Sequence, residues 1–338
     1  MLKYISTRLL LLVLVLVGVL VITFFVTRLV PGSPVSLLLG ARPTAAEVAA
    51  KTVELGLDRP VYEQFFRYAS SVAIGDLGTS FHTKRPVATD ILERSSATFE
   101  LVTISLVVAL LIGAPLGVFS AVKQNTPSDY AARFVATIGM AMPLFLSGML
   151  LQIIFYGDLS VLPLHGRLSQ EFISSGSVHR YTGLLLFDTL LSGNLSAFAD
   201  AALHLMLPVA TLVIASLGVM MRVTRNTMIE VLSQDYILAS RALGIGNQLL
   251  YWRYTFKATL VPLLTVVGLT YGYLLGGAVV VEFIFDWPGL GGYAIDAIAV
   301  NDYPAVMGVT FVLAAANLIV NLIVDLLYFA LDPRTRLT

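Results

Sequence analysis

The chain contains no cysteine, few histidines and few charged residues. Without a thiol it can form no disulfide, thiolate nucleophile, Cys-ligated zinc site or Cys-bound iron–sulfur cluster. Charged residues make up 12% of the sequence, against about 25% in an ordinary soluble domain. The 21 basic residues are balanced by 21 acidic ones, so the basic excess typical of nucleic-acid binding is missing. The composition therefore argues against a water-soluble protein and against nucleic acid as a partner.

Two signatures of catalysis are also missing. The four histidines, at positions 82, 165, 179 and 204, show no HExxH spacing, which is the helical zinc motif of metalloproteases. No Gly-Lys pair occurs, so the chain lacks the GxxxxGK[ST] loop that cradles nucleotide phosphates. We therefore expect that this chain does not hydrolyse ATP by itself.

Hydrophobic residues, in contrast, make up 57% of the 338 residues, and the mean hydropathy is +0.85. Crossing about 30 Å of hydrocarbon takes about 20 apolar residues in a helix, which satisfies its own backbone hydrogen bonds. Six stretches meet this requirement and predict an all-α integral membrane protein. They are Leu9–Val26, Leu101–Val122, Phe134–Tyr156, Ala201–Met221, Ala258–Val281 and Pro304–Val324.

Two apolar stretches need separate interpretation. The span Leu9–Val26 is longer than the apolar core of a signal peptide, and Thr27–Pro31 offers no small-x-small cleavage site. We therefore expect the first span to be retained. The stretch Tyr181–Leu195 is too short to cross a membrane and contains Asp188, which predicts an interfacial segment or one buried in an outer loop.

The distribution of Lys and Arg over the short loops predicts the orientation, because basic loops stay on the cytoplasmic side. The N-terminus, residues 123–133, the loop 222–257 and the C-terminal tail together carry eleven basic and five acidic residues. On the opposite side, the loop 282–303 carries four acidic residues and no basic one. Both termini are therefore predicted to be cytoplasmic.

Residues 31–96 predict an external segment of small helices and turns. Val48–Leu57 has helical spacing, and Gly75–Ser80 is rich in turn-forming residues. Seven basic residues balance seven acidic ones across the segment. Two compatible interpretations follow: a folded cap over the helix ends, or a docking or gating element for an external partner.

The cytoplasmic loop 222–257 is too polar to cross the membrane and contains the pattern of a short helix. Ser233 is a suitable N-cap, Asp235 suits the positive N-terminal end, and Gly244 suits the C-terminal stop. Periodicity leaves two interpretations open. The helix either lies on the membrane surface without a partner or docks on another subunit.

Ionisable residues are almost missing from the spans, although ion-coupled transporters usually place them near mid-membrane. His204 lies near the start of its span, Asp325 near the inner end of the last span, and Glu282 at the outer boundary of the fifth. Their plain interpretations are an interface residue, a partner of the basic tail and a solvated boundary acid. Two alternatives, an ion-coupled carrier and a membrane enzyme, lack the groups they need at depth. We interpret the chain as a pathway whose energy source lies elsewhere.

Several local patterns, in order along the chain, are shared with one family of transporters. They are Phe24–Pro34, Glu54–Pro60, Gly75–Ser80, Arg222–Arg225, Glu230–Tyr236, Ala239–Gly244, Pro262, Glu282–Gly291 and Asp325–Arg334. Over nearly its whole length the chain resembles the B-type membrane subunit of bacterial ABC importers of the dipeptide, oligopeptide and nickel group. The insert around Leu162–Arg167 and Thr182–Leu190 is most similar to the dipeptide branch.

The resemblance implies a type I importer permease fold in the inner (cytoplasmic) membrane. It implies four partners besides lipid: a homologous second permease forming a heterodimer, two ATP-binding subunits and an external substrate-binding protein. ATP and Mg would belong to the ATP-binding subunits, so this chain would be non-catalytic and bind no cofactor or metal. The expected cargo is short peptides, with nickel, heme or another small ligand as alternatives.

The resemblance also implies that residues 233–244 form the coupling helix, which sits in a groove of an ATPase subunit. The residues expected to form this site are Asp235, Tyr236, Ala239, Ser240, Arg241, Ala242 and Gly244. The family's glutamate position is occupied by Leu238, so a specific salt bridge there is not expected. Near the outer mouth, Glu282 and Asp286 are candidates for contact with a peptide ammonium group, although acidity of the outer surface alone also explains them.

The predicted organisation has four parts. Residues 1–30 are the cytoplasmic N-terminus and first span, and 31–96 are the external segment. Residues 97–332 form a five-helix permease core that contains the loop 222–257, and 333–338 are the cytoplasmic tail.

Overall fold

A computed structural model describes residues 2–29, 39, 44–54, 56–176 and 178–331 of the chain. Within these ranges the backbone is mainly helical, and the β-structure consists of one isolated bridge between Thr79 and Pro86. The all-α prediction is confirmed. The predicted tail 333–338 and the part of the first motif after Leu29 lie outside the described residues.

The described ranges contain thirteen helices with bounds as follows, in chain order. They are α1 Leu2–Leu29, α2 Ala45–Glu54, α3 Val61–Ala73, α4 Val87–Val122, α5 Pro127–Ala141, α6 Leu144–Leu151, α7 Gln170–Ser175, α8 Leu185–Leu191, α9 Leu195–Leu232, α10 Asp235–Ala242, α11 Asn247–Ile284, α12 Leu290–Ala299 and α13 Tyr303–Leu331. Two π-helical stretches occur, Gln152–Asp158 directly after α6 and Leu250–Thr255 inside α11.

Five of the described helices are long and apolar enough to cross a membrane: α1, α4, α9, α11 and α13. A sixth span requires α5 and α6 to be counted together, and these two are bent by 105° at a short break. The stretch Phe134–Tyr156, predicted as one of the six spans, is therefore divided between two helices that together count as the sixth span. Pro143 precedes α6, and Met142 before it is extended, with φ −77° and ψ 128°. A residue before proline is driven out of the helical region by the proline ring.

Three spans are much longer than their apolar cores. Helix α4 begins at Val87 rather than at Leu101, and α9 continues to Leu232 rather than ending at Met221. Helix α11 begins at Asn247 rather than at Ala258. Four basic residues assigned to the loop 222–257 therefore lie on helices: Arg222 and Arg225 on α9, and Arg253 and Lys257 on α11. Hydropathy marks where the apolar surface ends, whereas a helix can continue beyond that point with charged residues.

One compact unit comprises Met1–Thr98 and Pro288–Leu318. Its buried cluster includes Val72, Val87, Ile91, Leu290 and Val309. Polar groups are also buried in this unit. Asp302 accepts hydrogen bonds from the Ser80 hydroxyl at 2.5 Å and the His82 amide at 3.0 Å. Asp90 accepts hydrogen bonds from the Thr83 hydroxyl at 2.6 Å and the Tyr293 hydroxyl at 3.2 Å. Burial raises the pKa of Tyr293 to about 12.

The second compact unit comprises Phe99–Trp287 and Ile319–Thr338. Helix α9 lies at its centre and packs on α5, α6, α8 and α11. Glycines allow these helices to approach closely. A Cβ added at Gly139 would lie 2.8 Å from the Ile214 carbonyl oxygen, and one added at Gly218 would lie 2.6 Å from the Ala136 carbonyl oxygen. Small residues at helix contacts are typical of membrane bundles. The predicted part boundaries at residues 30, 96 and 332 stay predictions.

Candidate coupling site

A short helix, α10, is present where the sequence predicts the coupling helix, and two residues separate it from the end of α9. It begins at Asp235, and its N-cap is Gln234, whose carbonyl oxygen accepts from the amides of Ile237 at 3.0 Å and Leu238 at 3.2 Å. The expectation that Ser233 is the N-cap is wrong, because the Ser233 hydroxyl donates back to the Glu230 carbonyl oxygen at 2.7 Å. Serine commonly bonds to the preceding helical turn in this way.

The C-terminal end of α10 is fixed by Gly244, as the sequence predicts. Gly244 has a φ of +80°, which places it in the left-handed region that favours glycine. Its amide donates to the Arg241 carbonyl oxygen at 3.0 Å, and the next amide, of Ile245, donates to Ser240 at 3.2 Å. A Cβ at this position would meet no atom within 4 Å, so the backbone conformation and not space calls for glycine.

One residue anchors α10 to the rest of the protein. Ile237 is fully buried, whereas the other residues of the helix are exposed or half-buried. The helix packs against the end of α9 and against the π-helical stretch Leu250–Thr255. A short helix held at a buried side chain and at a fixed C-terminal turn is a stiff element, unlike an extended loop.

The structure leaves most of the expected coupling residues open to a partner. The exposed ones are Asp235, Tyr236, Ala239, Arg241, Ala242 and Gly244. Ser240 is half-buried, and its hydroxyl donates to the Tyr236 carbonyl oxygen at 2.7 Å. Two leucines extend the exposed surface. Leu238, at the family's glutamate position, is 49% exposed, and Leu243 is 83% exposed.

The two acids expected at the outer mouth have different environments. Asp286 is exposed and has a φ of +47°. Glu282 lies inside α11 with 1% of its surface exposed, and its carbonyl oxygen accepts from the Trp287 amide at 2.8 Å. The interpretation of Glu282 as a solvated boundary acid is therefore wrong, and the two residues do not form one accessible acidic surface.

Sequence reasoning missed a buried ion pair that joins the insert 157–200 to α4. The Arg167 guanidinium pairs with Glu100, and its Cζ lies 5.5 Å from the centre of the Trp287 ring. Glu100 also accepts from the Leu186 amide at 2.8 Å. Burial lowers the pKa of Arg167, while Glu100 opposes this shift. The partners are 67 residues apart, so no local spacing in the sequence indicates the pair.

A second buried ion pair, between Asp129 and Arg225, lies closer to α10 along the chain. Arg225 Nη2 is 2.7 Å from Asp129 Oδ2, and Arg225 Nε is 2.9 Å from Asp129 Oδ1. The sequence places both residues in the cytoplasmic set of loops, where they count as solvated charges. The structure instead buries Asp129 completely and leaves 12% of the Arg225 side chain exposed. Within the described residues, no group of three or more metal-ligating side chains is found.

Comparison with known proteins defines the class of protein to which this arrangement belongs. Residues 113–337 match the family described as binding-protein-dependent transport system inner membrane component, and residues 1–102 match its N-terminal part. The chain belongs to this family and is a multi-pass inner-membrane permease subunit of an ABC importer, which confirms the resemblance drawn from its motifs.

Three relatives indicate the kinds of permease to which the chain is similar. The chain is 45% identical over 323 residues to the probable D,D-dipeptide transport system permease protein of Escherichia coli, covering 96% of this chain and 94% of the relative. It is 39% identical over 336 residues to a dipeptide transport system permease protein of Alkalihalophilus pseudofirmus, covering 99% and 100%. A glutathione transport system permease protein of Pectobacterium atrosepticum is 35% identical over 336 residues, covering 99% of each chain.

Proposed function

We propose that the chain forms half of a translocation pathway for short peptides that an external binding protein delivers. The observation that carries this proposal is the near full-length identity of 45% and 39% to permeases named for D,D-dipeptide and dipeptide transport. The other half of the pathway would be a homologous second permease, in a heterodimer. Two ATP-binding subunits would hold ATP and Mg, and this chain would be non-catalytic.

Helix α10 would dock on one of the ATP-binding subunits. Its exposed face, its anchor at Ile237 and its rigid end at Gly244 support this role. A lever of this kind transmits the closure of the ATPase pair because its ends cannot move independently of the bundle. Membrane-surface binding without a partner is the alternative, and loss of the ATPase subunits from an α10 variant distinguishes the two.

The contact made by α10 would be largely apolar. Leu238 replaces the acidic residue of the family motif, and Tyr236, Leu238 and Leu243 are 50%, 49% and 83% exposed. Burial of such side chains against a partner releases about 25 cal/mol per Å² of apolar surface. We therefore propose an apolar groove on the ATPase subunit as the receiving surface, with Asp235 and Arg241 at its edge.

At the external side, Asp286 is the stronger candidate for meeting a peptide ammonium group. It is exposed, whereas Glu282 is buried within α11. The segment 31–96 would contact the binding protein. This assignment follows the predicted orientation, with both termini in the cytoplasm.

Reconstitution tests the proposed function. The chain is purified with its partner permease and both ATPase subunits, placed in lipid vesicles and supplied with the loaded binding protein. We expect ATP-dependent uptake of a labelled dipeptide, and no uptake by this chain alone. Uptake driven by an ion gradient without the ATPase subunits would contradict the proposal in favour of a secondary carrier. Nickel, heme or another ligand recovered from the purified binding protein would contradict the peptide assignment alone.

A further inference from the structure

A buried carboxylate joins three parts of the second unit at one point. Asp129 lies in the first turn of α5 and is completely buried. It receives two hydrogen bonds from Arg225 on α9, at 2.7 and 2.9 Å, one from the Asn125 amide in the preceding turn at 3.0 Å, and one from the Ser120 hydroxyl on α4. Its two oxygens therefore hold α4, the turn and α9 together.

The arginine is held as firmly as the carboxylate. Its Nε contacts Asp129 Oδ1 and lies 3.1 Å from the Ser120 hydroxyl oxygen, and its Nη2 contacts the second carboxylate oxygen. Such two-pronged contact fixes the angle between the planar groups as well as their distance. A single-point contact would let α9 rotate about its axis, and this one resists that rotation.

The helices around the pair approach each other closely. A Cβ added at Gly117 on α4 would lie 2.6 Å from both the Met221 carbonyl oxygen and Thr224 Cβ on α9. Beyond the pair, Val118, Ala121 and Met228 form a buried cluster with Tyr251 and Phe256 of α11 packed against it. Close packing on both sides of the pair makes α4 and α9 move together in this region.

Stability alone is a poor explanation for the pair. Moving two charges out of water costs several kcal/mol per ion, and apolar residues of similar volume in such places are often as stabilising or more so. What an ion pair adds is a defined geometry. The Asp129–Arg225 pair lies close to α10 along the chain. Helix α9 ends at Leu232, only seven residues or about 10 Å after Arg225, and α10 begins three residues later.

We propose that Asp129 and Arg225 are positioning residues that couple α10 to the bundle. The pair locks the end of α9 to α4 and to the α4–α5 turn. A push on α10 is then carried into α4, α5 and α9 together and is not absorbed by bending at the end of α9. This inference rests on the proposed role of α10 in docking to the ATPase subunit.

The test uses the fully assembled importer in lipid vesicles. Asp129→Asn and Arg225→Gln are made singly and together, and Arg222→Gln is the matched control, since Arg222 is exposed and lies almost one turn earlier on the same helix. For the paired positions we expect peptide transported per ATP hydrolysed to fall by about fivefold or more, as for a typical coupling between sites. The concentration of loaded binding protein at half-maximal ATPase activity should stay unchanged, and the control should behave as the native importer.

The double variant separates positioning from a structural role. Each single variant leaves one buried partner unpaired and can lose stability for that reason alone, whereas the double variant carries no unpaired charge. If the double variant assembles and stays uncoupled, the inference holds. Native coupling in the double variant would overturn it. Loss of assembly in the double variant would also overturn it, because the pair would then serve folding alone.

The design distinguishes this inference from the proposed function. Failure of α10 docking is seen as ATPase subunits missing from the purified importer, in the native protein as well as in variants. Failure of the inference is seen as native coupling in an importer that retains all of its subunits.

Discussion

Substitution of Gly244 tests the role of α10 at a single residue, because its backbone conformation favours glycine. With φ at +80° and open space around the Cβ position, a change to valine meets no clash but forces a β-branched residue into the left-handed region, at about 1–2 kcal/mol. That cost corresponds to a factor of about 5–30. We expect Gly244→Val to reduce the stimulation of ATPase activity by the loaded binding protein within this range, measured as phosphate release, while the importer stays assembled.

A second glycine nearby provides the control. Gly246 also has open space around its Cβ position, but its φ is −62°, which any residue adopts. Gly246→Val should therefore leave stimulation unchanged. Equal loss in both variants would mean that the loop senses side-chain bulk and that the end of α10 has no special role.

Asp188 fixes the turn at Thr182 and Gly183 from a buried position. It accepts from the Thr182 amide at 2.8 Å, the Thr182 hydroxyl at 2.7 Å and the Gly183 amide at 2.9 Å. Burial by itself would raise the pKa of Asp188, but these hydrogen bonds outweigh it and hold the pKa below its usual value. A lowered pKa contributes stability above the unfolded value of about 3.9, and this stability is lost as pH falls through the folded value.

Asp188→Asn should therefore loosen the turn at every pH above about 4. An amide NH₂ facing backbone donors leaves at least one of them unpaired, at about 1–3 kcal/mol. We expect hydrogen exchange of the peptide that contains Thr182 and Gly183 to accelerate about tenfold, measured by mass spectrometry. Asp158→Asn, at an exposed acid of the same insert, is the control. Unchanged exchange in Asp188→Asn would show that Asp188 does not hold the turn.

At the scale of the element, α10 offers an apolar surface whose role can be isolated. Leu243 and Ile74 are both 83% exposed, but Leu243 follows α10 and Ile74 follows α3 in the predicted external segment. Leu243→Glu should weaken recovery of the ATPase subunits with the purified permease by about tenfold, since a charge would enter an apolar contact. Ile74→Glu should leave that recovery unchanged. Equal recovery in the two variants would contradict apolar docking.

Helix ends and helix breaks differ in how well the sequence predicts them. The apolar cores of the spans were predictable, because hydropathy reports them directly. A proline in the sequence does not by itself indicate whether a helix continues or breaks. Pro115, Pro208 and Pro262 lie inside continuous helices, whereas Pro143 follows a sharp bend. A missing backbone donor permits either outcome, and packing, which the sequence does not state, decides between them.

The site was predictable where it depends on local conformation and not where it depends on tertiary contact. The left-handed glycine that ends α10 follows from the helix pattern of residues 233–244. Asp129 and Arg225, in contrast, are 96 residues apart. When the charges of the loops are counted to predict orientation, both residues are treated as solvated. Only the folded chain brings them within 2.7 Å of each other.

The orientation of the whole chain in the membrane can be measured by thiol labelling, because the sequence contains no cysteine. The unsubstituted chain has no thiol and gives no background with a membrane-impermeant maleimide. Ser70 and Ser233 are both exposed, and the predicted orientation places them on opposite sides of the membrane, because basic loops stay in the cytoplasm. Each hydroxyl donates to a backbone carbonyl one turn earlier, that of Arg67 or Glu230, so cysteine costs little at either site.

We expect Ser70→Cys to be labelled in intact spheroplasts, and Ser233→Cys to be labelled only after the membrane is permeabilised. The pair controls for reactivity, because both thiols should react equally once detergent is added. Labelling of Ser233→Cys alone in intact spheroplasts would show that the orientation is the opposite of the predicted one. It would also place α10 outside the cell, where no ATPase subunit could meet it, so this measurement decides whether α10 can act as the point at which ATP hydrolysis moves the bundle.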